Sequence, residues 1–367
     1  MEITWTNEGK ALMASSSHVL CLGGPGSGKT TMALLKAEVE IGRNALQPGQ
    51  RILFLSFARA TINRVEEHAV KILKAENRRE LEINTYHGVA WALLRSHGYL
   101  LTEKAPIKLL TPPQAASALS SIDGEDAKIE EKRRLFTEEG RLDFDLFAST
   151  AAELLARSSS IRKLVSNIYP IIVLDEFQDT NANEWELIQL LGVNSTLIAL
   201  ADPEQRIYEF RGASPTRIPE FIEKFSPDEF DFSTANHRSS GTDICIYGND
   251  LLKGSNKGKK YTHVAVSTYP IRKGQAGHLH LKFAIYQRRK AILDKGVKNW
   301  SLAVLVPTKQ LMLDVSDHLA STQTLQNGKI APSIENEASL DAAGPALAAS
   351  AIAGVLSGGK LQSGPPG

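Results

Sequence analysis

Residues 20–31 read Leu20-Cys-Leu-Gly-Gly-Pro-Gly-Ser-Gly-Lys-Thr-Thr31, and this stretch decides the fold. Its first glycine, Gly23, is separated by four residues from a Gly-Lys-Thr triplet at 28–30. That spacing is typical of a phosphate-binding loop between a buried strand and a helix, and apolar residues on both sides predict that strand and helix. An ordinary glycine-rich turn has the same composition, but the flanking elements favour a loop that binds phosphates.

The residue types of this loop suit a nucleoside triphosphate and a metal ion. Four glycines and a proline let several backbone N–H groups point at one anion, with the positive end of a helix behind them. Lys29 would reach the β and γ phosphates, and the hydroxyl of Thr30 would hold Mg²⁺, which bridges the same oxygens. The predicted nucleotide-binding residues of the loop are Gly23, Gly24, Pro25, Gly26, Ser27, Gly28, Lys29, Thr30 and Thr31.

Length and composition predict an intracellular globular protein. A chain of 367 residues is long enough for two or three domains. The 42 Lys and Arg residues nearly balance 41 Asp and Glu residues, so any surface for nucleic acid must be local. Two cysteines make no disulfide framework, the first residues lack the blocks of a secretion signal, and no apolar run approaches the roughly 20 residues that cross a bilayer. We therefore expect a cytoplasmic location and no membrane partner.

A second apolar run, Ile171–Leu174, predicts another central strand with Asp175 and Glu176 at its carboxyl end. Open α/β sheets bind their ligands at that end. Beside a phosphate loop, Asp175 would help to hold the metal and Glu176 would take the proton of the attacking water. A structural role is the alternative, because carboxylates also stabilise helix N-termini. The pairing with Lys29 and Thr30 favours catalysis.

Aromatic rings stand beside arginine in the stretch 202–213. Tyr208 and Phe210 precede Arg211, and rings interleaved with arginine are what stacking on single-stranded bases requires. Packing in the core is the alternative for these rings. A charge run at 125–134 is better interpreted as a solvated helix face than as a binding stripe.

Six short motifs occur in order along the chain. They lie at 23–30, 56–60, 85–88, 175–180, 202–213 and 236–239. In this order they resemble the superfamily 1A DNA helicases of the UvrD/Rep/PcrA type, over roughly residues 8–320. The resemblance implies hydrolysis of ATP with Mg²⁺ and movement from 3′ to 5′ on single-stranded DNA.

The resemblance also implies roles for single residues. Gln178 and Gln205 look like the glutamines that connect the γ-phosphate and the attacking water with the DNA-facing loops, and Arg238 looks like an arginine that reaches the γ-phosphate. His237 stands where the family usually has a tyrosine stacked on adenine. Glu8 stands at the adenine-reading glutamine, and a carboxylate accepts hydrogen bonds there but donates none. The implied catalytic residues are Glu176, Lys29, Gln205 and Arg238. The implied DNA-contacting residues are Phe57, Arg59, Thr85, Tyr86, His87, Tyr208, Phe210 and Arg211.

The expected fold class is α/β: a P-loop NTPase of the RecA-like type, with a parallel sheet covered by helices on both faces. Further apolar runs predict strands at 51–57, 81–86, 196–200, 230–232 and 302–306, and periodicity predicts a helix at 311–319. The expected divisions are motor domain 1A at 1–100 and 169–234, a helical 1B-like insertion at 101–168, a partial second RecA-like domain (2A-like) at 235–356, and a flexible tail at 357–367.

Two segments of the family are not found after Leu319: a Thr/His segment with Lys-Gly, and a helix with an arginine that completes the site. The leading hypothesis is therefore the core of an ATP-dependent DNA helicase or translocase, to which a partner protein or a further C-terminal segment adds that arginine. The alternative is a nucleotide-gated DNA-binding or sensor subunit, for example of a nuclease complex, that unwinds nothing. A P-loop kinase or small GTPase needs neither the acidic strand end nor the stretch at 202–213.

Overall fold

The structure is a computed structural model, and it describes most of the chain. The described residues are 7–43, 46–57, 59–102, 104–204, 214–232, 242–252, 254–262, 264, 278–306, 308–324 and 330–337. The chain divides into two compact units, Met1–Val264 and Ala265–Gly367. Within the described ranges, every helix is too short or too polar to cross a membrane.

Helices and strands alternate along the first unit and continue into the second. The helices are α1 Asn7–Ala14, α2 Lys29–Gly42, α3 Arg59–Ile72, α4 Tyr86–His97, α5 Tyr99–Thr102, α6 Pro112–Leu119, α7 Glu125–Glu139, α8 Phe147–Arg157, α9 Ser159–Ile168, α10 Ala182–Leu191, α11 Arg217–Phe225, α12 Ile244–Leu252, α13 His278–Asp294 and α14 Lys309–Ala320. The strands are β1 Val19–Leu22, β2 Ile52–Ser56, β3 Leu81–Thr85, β4 Lys108–Leu110, β5 Arg141–Asp143, β6 Ile171–Leu174, β7 Thr196–Ala201, β8 Asp228–Asp231, β9 Gln323–Thr324 and β10 Ile330–Ala331.

Six of the described strands form one parallel sheet in the order β3-β2-β6-β7-β1-β8. Strand β7 lies between β1 and β6, with Ile198 opposite Val19 on one side and opposite Val173 on the other. Because all strands run in the same direction, the loops that follow β1 and β6 meet at one edge of the sheet, on either side of the end of β7. The expected α/β fold with a parallel sheet and helices on both faces is confirmed.

The central strands are buried on both faces. Leu20 and Ile172 belong to a core with residues of α4, α8, α9 and α10, whereas Val19, Cys21 and Val173 belong to a second core with residues of α1, α2 and α3. Neighbouring side chains of a strand point to opposite faces, so each strand must be apolar at every position. This explains why these strands are continuous apolar runs in the sequence.

The segment 101–168, expected as a helical insertion, contains mostly helices and one small sheet. Strands β4 and β5 pair in parallel, with Leu109 opposite Leu142. Its last two helices supply Phe147, Leu155 and Val165 to the core on one face of the main sheet. The predicted boundary between residues 234 and 235 falls outside the described residues, as does the predicted tail at 357–367, and the domain divisions stay predictions.

The described part of the second unit has a small core of Ile285, Val315, Leu319 and Ile334. It contains α13, α14 and the antiparallel pair β9–β10. The helix predicted at 311–319 is confirmed, but the strand predicted at 302–306 is wrong. That segment pairs with no strand among the described residues, and Leu305 is 92% exposed. An apolar run becomes a strand only where neighbouring strands take up its backbone hydrogen bonds.

Candidate functional site

The loop after β1 is shaped by its glycines. Gly26 and Gly28 have φ of +75° and +92°, the left-handed conformation that favours glycine. The N–H of Gly23 donates to the carbonyl of Ala201 at 3.1 Å, which ties the loop to the end of β7. Helix α2 begins directly after the loop at Lys29. The first N–H groups of a helix have no hydrogen-bond acceptor within the helix, so the N-terminus of α2 is suited to binding an anion.

Two polar side chains of the loop face its interior. The ammonium of Lys29 donates to the carbonyls of Gly23 and Gly24, at 2.5 and 3.2 Å. Ser27 is 3% exposed, and its hydroxyl has no hydrogen-bond partner among the described residues. A buried hydroxyl without a partner costs about 1–3 kcal/mol, so a ligand oxygen at this loop would remove that cost. The loop therefore fits a phosphate group by its backbone and by its side chains.

Asp175, at the end of β6, is buried beside this loop. Burial and the charge of Glu176 raise the pKa of the Asp175 carboxyl to about 7, while Lys29 and the Ser56 hydroxyl, 3.5 Å from Oδ2, act in the opposite direction. The interaction with Lys29 means that the two predicted strand ends form one site. A cation near this carboxyl would favour its charged form.

Glu176 adopts a conformation that is unusual for its residue type. Its φ is +49°, in the left-handed region, and strained backbone of this kind is concentrated at functional sites. Its carboxylate oxygen Oε2 accepts a hydrogen bond from Nε2 of Gln178 at 2.9 Å. Oε1 of Gln178, which is 2% exposed, accepts from the N–H of Asp202 at 3.0 Å. Gln178 thus fixes the carboxylate of Glu176 relative to the end of β7.

The donor groups at this edge fit Mg²⁺. The ion is usually bound by one or two carboxylates together with substrate phosphates and water, in contrast to an all-protein cage. Asp175 supplies a buried carboxyl whose raised pKa a divalent cation would lower, and Thr30 lies in the first turn of α2, next to Lys29. These two residues would hold the ion between the protein and a triphosphate.

A cavity of about 190 Å³, here called the aromatic pocket, lies on the same side of the first unit. Its lining residues are Phe57, His87, Phe144, Asp145, Asp179, Asn181 and Glu184. The ring of His87 stacks on that of Phe144, with 4.3 Å between ring centroids and 6° between ring planes. Phe144 is 49% exposed. Phe57 directly follows β2 and His87 is the second residue after β3, so the pocket also lies where strands end.

Comparison with known proteins identifies the chain. The UvrD/REP helicase N-terminal domain family matches residues 5–136 and 126–226. The chain belongs to this family. The predicted resemblance to UvrD/Rep/PcrA-type helicases is therefore confirmed, and the described fold is that of a member of an ATP-dependent DNA helicase family.

Individual helicases are similar to this chain at low identity. PcrA of Staphylococcus aureus strain Mu50 is 22% identical over 297 residues, which cover 69% of this chain and 40% of PcrA. Rep of Buchnera aphidicola subsp. Schizaphis graminum is 24% identical over 293 residues, covering 68% and 43%. Rep of Escherichia coli K12 is 25% identical over 264 residues, covering 60% and 39%. The chain spans about two fifths of the length of these relatives.

The structure contradicts one of the DNA contacts that the family resemblance implies, that of Tyr86. Tyr86 is 1% exposed, packs against the ring of Phe57 at 4.8 Å, and lies in the core, so it presents no face to a strand of DNA. Burial also raises the pKa of its hydroxyl well above the usual range. The hydroxyl of Thr85 accepts from the N–H of Gly88 at 2.9 Å and caps α4, which is a structural role.

The remaining predicted residues are only partly described. Arg59 begins α3 without a described side chain, and Glu8 is exposed in the first turn of α1. Those outside the described residues are Gln205, Tyr208, Phe210, Arg211, His237 and Arg238. Sequence reasoning missed Phe144, whose ring stands between Asp143 and Asp145 at the junction before α8. The sequence around Phe144 carries no pattern that indicates a contact with DNA.

Proposed function

We propose that this chain is the ATP-hydrolysing, single-strand-binding core of a DNA helicase or translocase that moves from 3′ to 5′ and resides in the cytoplasm. The observation that carries the proposal is that β7 lies between β1 and β6 and that its end is hydrogen-bonded to the segments after both strands, to Gly23 of the phosphate loop and, through Asp202, to Gln178. Membership of the UvrD/REP family supports DNA as the second ligand. The alternative of a sensor subunit is not favoured, since the similar proteins are named as DNA helicases.

The proposed reaction is in-line attack of water on the γ-phosphate of ATP. Glu176 accepts the proton of the attacking water, and Gln178 holds the Glu176 carboxylate in a fixed orientation. Lys29 stabilises the charge that develops on the phosphate oxygens. Mg²⁺, held by Thr30 and Asp175, would neutralise phosphate charge when it is bound. Gln205 and Arg238 keep the roles that the family resemblance implies, as part of this proposal.

Single-stranded DNA is proposed to cross the aromatic pocket. The exposed ring of Phe144 is stacked on His87 and offers a flat apolar surface next to Phe57. Stacking on aromatic rings is how single strands are bound without sequence readout. The proposed DNA-contacting residues are Phe57, Arg59, Thr85, His87, Tyr208, Phe210 and Arg211, with Phe144 added from the structure.

A further arginine is part of the proposal. Family resemblance implies that an arginine of the second motor domain completes the site, and we propose that a partner protein or a further segment supplies it. Loss of such an arginine lowers turnover by about 10³ to 10⁵ in related phosphoryl-transfer enzymes. The chain alone is therefore expected to bind ATP well and to hydrolyse it slowly.

The test separates binding from hydrolysis. Calorimetry would measure binding of ATP with Mg²⁺, and single-turnover assays would measure hydrolysis with and without a single-stranded oligonucleotide. Lys29→Ala is expected to weaken ATP binding by about ten- to a hundredfold, because a charged hydrogen-bond donor to phosphate is lost. Glu176→Gln is expected to keep binding and to lower the hydrolysis rate by about 10² to 10⁴.

Matched controls are available on exposed surfaces of the same unit. Lys71→Ala and Glu153→Gln make the same chemical changes on α3 and α8, where both side chains are exposed, and are expected to leave binding and hydrolysis unchanged. Hydrolysis by Glu176→Gln at the rate of the unmodified protein would refute its role as base. ATP binding by Lys29→Ala at full affinity would refute the nucleotide site itself.

A further inference from the structure

The hydroxyl of Tyr86 is a buried polar group without a partner. Tyr86 is 1% exposed, and its hydroxyl makes no hydrogen bond to any of the described residues. Buried tyrosine hydroxyls usually find a partner, because an unpaired one is destabilising. Packing of the ring against Phe57 explains why an aromatic residue stands here. It does not explain the hydroxyl, which phenylalanine would lack.

The strand order places Tyr86 at the edge of the sheet that carries the nucleotide site. Strand β2 pairs in parallel with β3 on one side and with β6 on the other. Tyr86 directly follows β3 and Asp175 directly follows β6, so the two residues lie at the same edge with one strand between them. The Tyr86 ring belongs to the same core as Leu174 and Phe177, which flank Asp175 and Glu176 in the chain.

Three carboxyl groups act on the Tyr86 hydroxyl. Burial has the largest effect on the pKa of this hydroxyl and raises it well above the usual range. The charges of Glu184, Asp175 and Glu176 raise the same pKa further, in that order. The hydroxyl therefore keeps its proton at neutral pH and is able to donate a hydrogen bond to a carboxylate.

Asp175 is the carboxyl group with most room for that bond. Oε2 of Glu184 and Oε2 of Glu176 each accept a hydrogen bond at 2.9 Å. At Asp175, the one side-chain hydrogen bond among the described residues comes from the Ser56 hydroxyl at 3.5 Å, longer than the usual distance of about 2.7–2.8 Å. An ionised carboxylate offers about four acceptor sites, so Asp175 can accept from a further donor.

We propose that Tyr86 is a positioning residue of the nucleotide site, whose hydroxyl donates to the Asp175 carboxylate when ATP and Mg²⁺ are bound. One oxygen of Asp175 is the proposed metal ligand, and the hydrogen bond from Tyr86 orients the carboxylate through the other oxygen. Partners that orient a metal ligand in this way contribute about 10- to 100-fold to metal affinity. The inference rests on the proposed function and adds a residue to its metal site.

The experiment uses Tyr86→Phe, which removes the hydroxyl and keeps the ring. Calorimetry with the full chain would measure ATP binding over a range of Mg²⁺ concentrations and in EDTA. We expect the Mg²⁺ concentration for half-maximal enhancement of ATP binding to rise about tenfold, with the affinity in EDTA unchanged. Urea denaturation without ligands should give a midpoint equal to or above that of the unmodified protein, since an unpaired buried hydroxyl has been removed.

Tyr169→Phe is a matched control at the opposite edge of the sheet. Tyr169 precedes β6, and its hydroxyl donates to Oε2 of Glu82 at 2.8 Å. This variant should lower the urea midpoint, because a hydrogen bond already present is lost, and should leave the Mg²⁺ requirement unchanged. A change in the Mg²⁺ requirement without a loss of stability is therefore expected for Tyr86→Phe alone.

A double substitution tests the partner of the hydroxyl. Asp175→Asn replaces the charged acceptor with a neutral one, and hydrogen bonds between neutral groups are weaker. Adding Tyr86→Phe to Asp175→Asn should therefore change the Mg²⁺ requirement by less than about twofold. A tenfold effect that persists in the Asp175→Asn background would assign the hydroxyl to another acceptor and overturn the inference.

The remaining outcomes separate the inference from the proposed function. An equal Mg²⁺ requirement in Tyr86→Phe and the unmodified protein would overturn the inference and leave the proposed function standing. A lowered urea midpoint in Tyr86→Phe, as in Tyr169→Phe, would mean that the hydroxyl is already paired, which also overturns the inference. Failure of the unmodified protein to bind ATP at any Mg²⁺ concentration would overturn the proposed function, and the inference with it.

Discussion

The nucleotide site and the aromatic pocket each contain a buried carboxyl group, and the two groups have different neighbours. Asp175 and Glu184 both follow β6 and are 5% and 3% exposed. Asp175 lies beside the ammonium of Lys29, near the start of α2, whereas Glu184 lies beside aromatic rings and accepts from a backbone N–H. The two buried carboxyl groups therefore have different surroundings, and we expect these surroundings, more than the carboxyl group itself, to determine which ligand each site binds.

One side chain joins the two sites. Nε2 of Gln178 donates to Glu176 at 2.9 Å in the nucleotide site and lies 3.5 Å from Oδ2 of Asp179, which lines the aromatic pocket. Its amide oxygen accepts from the N–H of Asp202. We therefore expect the amide of Gln178 to couple the two sites. We expect that substitutions can weaken one site without affecting the other, and that substitution of Gln178 affects both.

The largest of these effects is expected for Gln178→Ala. Without the amide, the Glu176 carboxylate loses its fixed orientation, and a displacement of about 1 Å can cost roughly 10² in rate. We expect the single-turnover hydrolysis rate to fall by about that factor, with little change in the calorimetric affinity for ATP, and stimulation by single-stranded DNA to disappear. Gln189→Ala, a glutamine on α10, is the control. Retention of DNA stimulation in Gln178→Ala would show that coupling follows another route.

A smaller effect, confined to DNA, is expected for Phe144→Ala. Loss of a ring that stacks on a base costs about 1–3 kcal/mol, or about five- to 150-fold in affinity for a single strand. Phe144→Tyr should restore binding, and ATP binding should be the same in both variants. Leu164→Ala removes another exposed apolar side chain, 44% exposed on α9, and should change neither affinity. An equal loss of ATP binding in Phe144→Ala would mean that the two sites are not separate.

The parts of the fold that depend on local chemistry could be predicted from the sequence. The loop at 23–30 needs glycine at positions of positive φ and a lysine at a fixed spacing, and Asp175 and Glu176 needed only a buried strand before them. Ile171–Leu174 and the segment 302–306 are equally apolar, yet in the part of the chain that the structure describes only the first has neighbouring strands on both sides. The sequence shows that a segment is apolar, but it does not show whether a neighbouring strand is available to pair with it.

The aromatic pocket could be predicted only in part, for a geometric reason. Tyr86 and His87 are consecutive residues that begin α4, and both were implied to contact DNA. The turn from β3 into α4 directs Tyr86 into the core and His87 towards Phe144. Successive helical residues point about 100° apart, so one aromatic residue of such a pair is readily buried while the next lines a surface. The sequence identifies the pair but does not show which member is exposed.

The smallest expected effect concerns the opposite edge of the sheet, where a titratable group has only a structural role. Nδ1 of His18 accepts from the N–H of Leu197 at 3.0 Å, and its ring lies 4.7 Å from that of Phe225. Burial lowers the pKa of His18 below its usual 6.5. The unfolded chain therefore takes up a proton at higher pH than the folded chain, so the stabilisation is complete above pH 6.5 and is lost as the pH falls through the lowered pKa.

His18→Asn tests this role, because the asparagine oxygen can still accept from Leu197 but does not titrate. Urea denaturation between about pH 5 and 8 should show the free energy of unfolding falling on acidification by up to about 1 kcal/mol more in the unmodified protein than in His18→Asn. His97→Asn changes another histidine, at the end of α4, and should leave the pH dependence unaltered. Parallel curves for His18→Asn and the unmodified protein would mean that His18 is protonated equally in the folded and unfolded chains. In that case His18 is less buried than its contacts with Leu197 and Phe225 imply. ATP and DNA binding at the other edge of the sheet should be unaffected by His18→Asn.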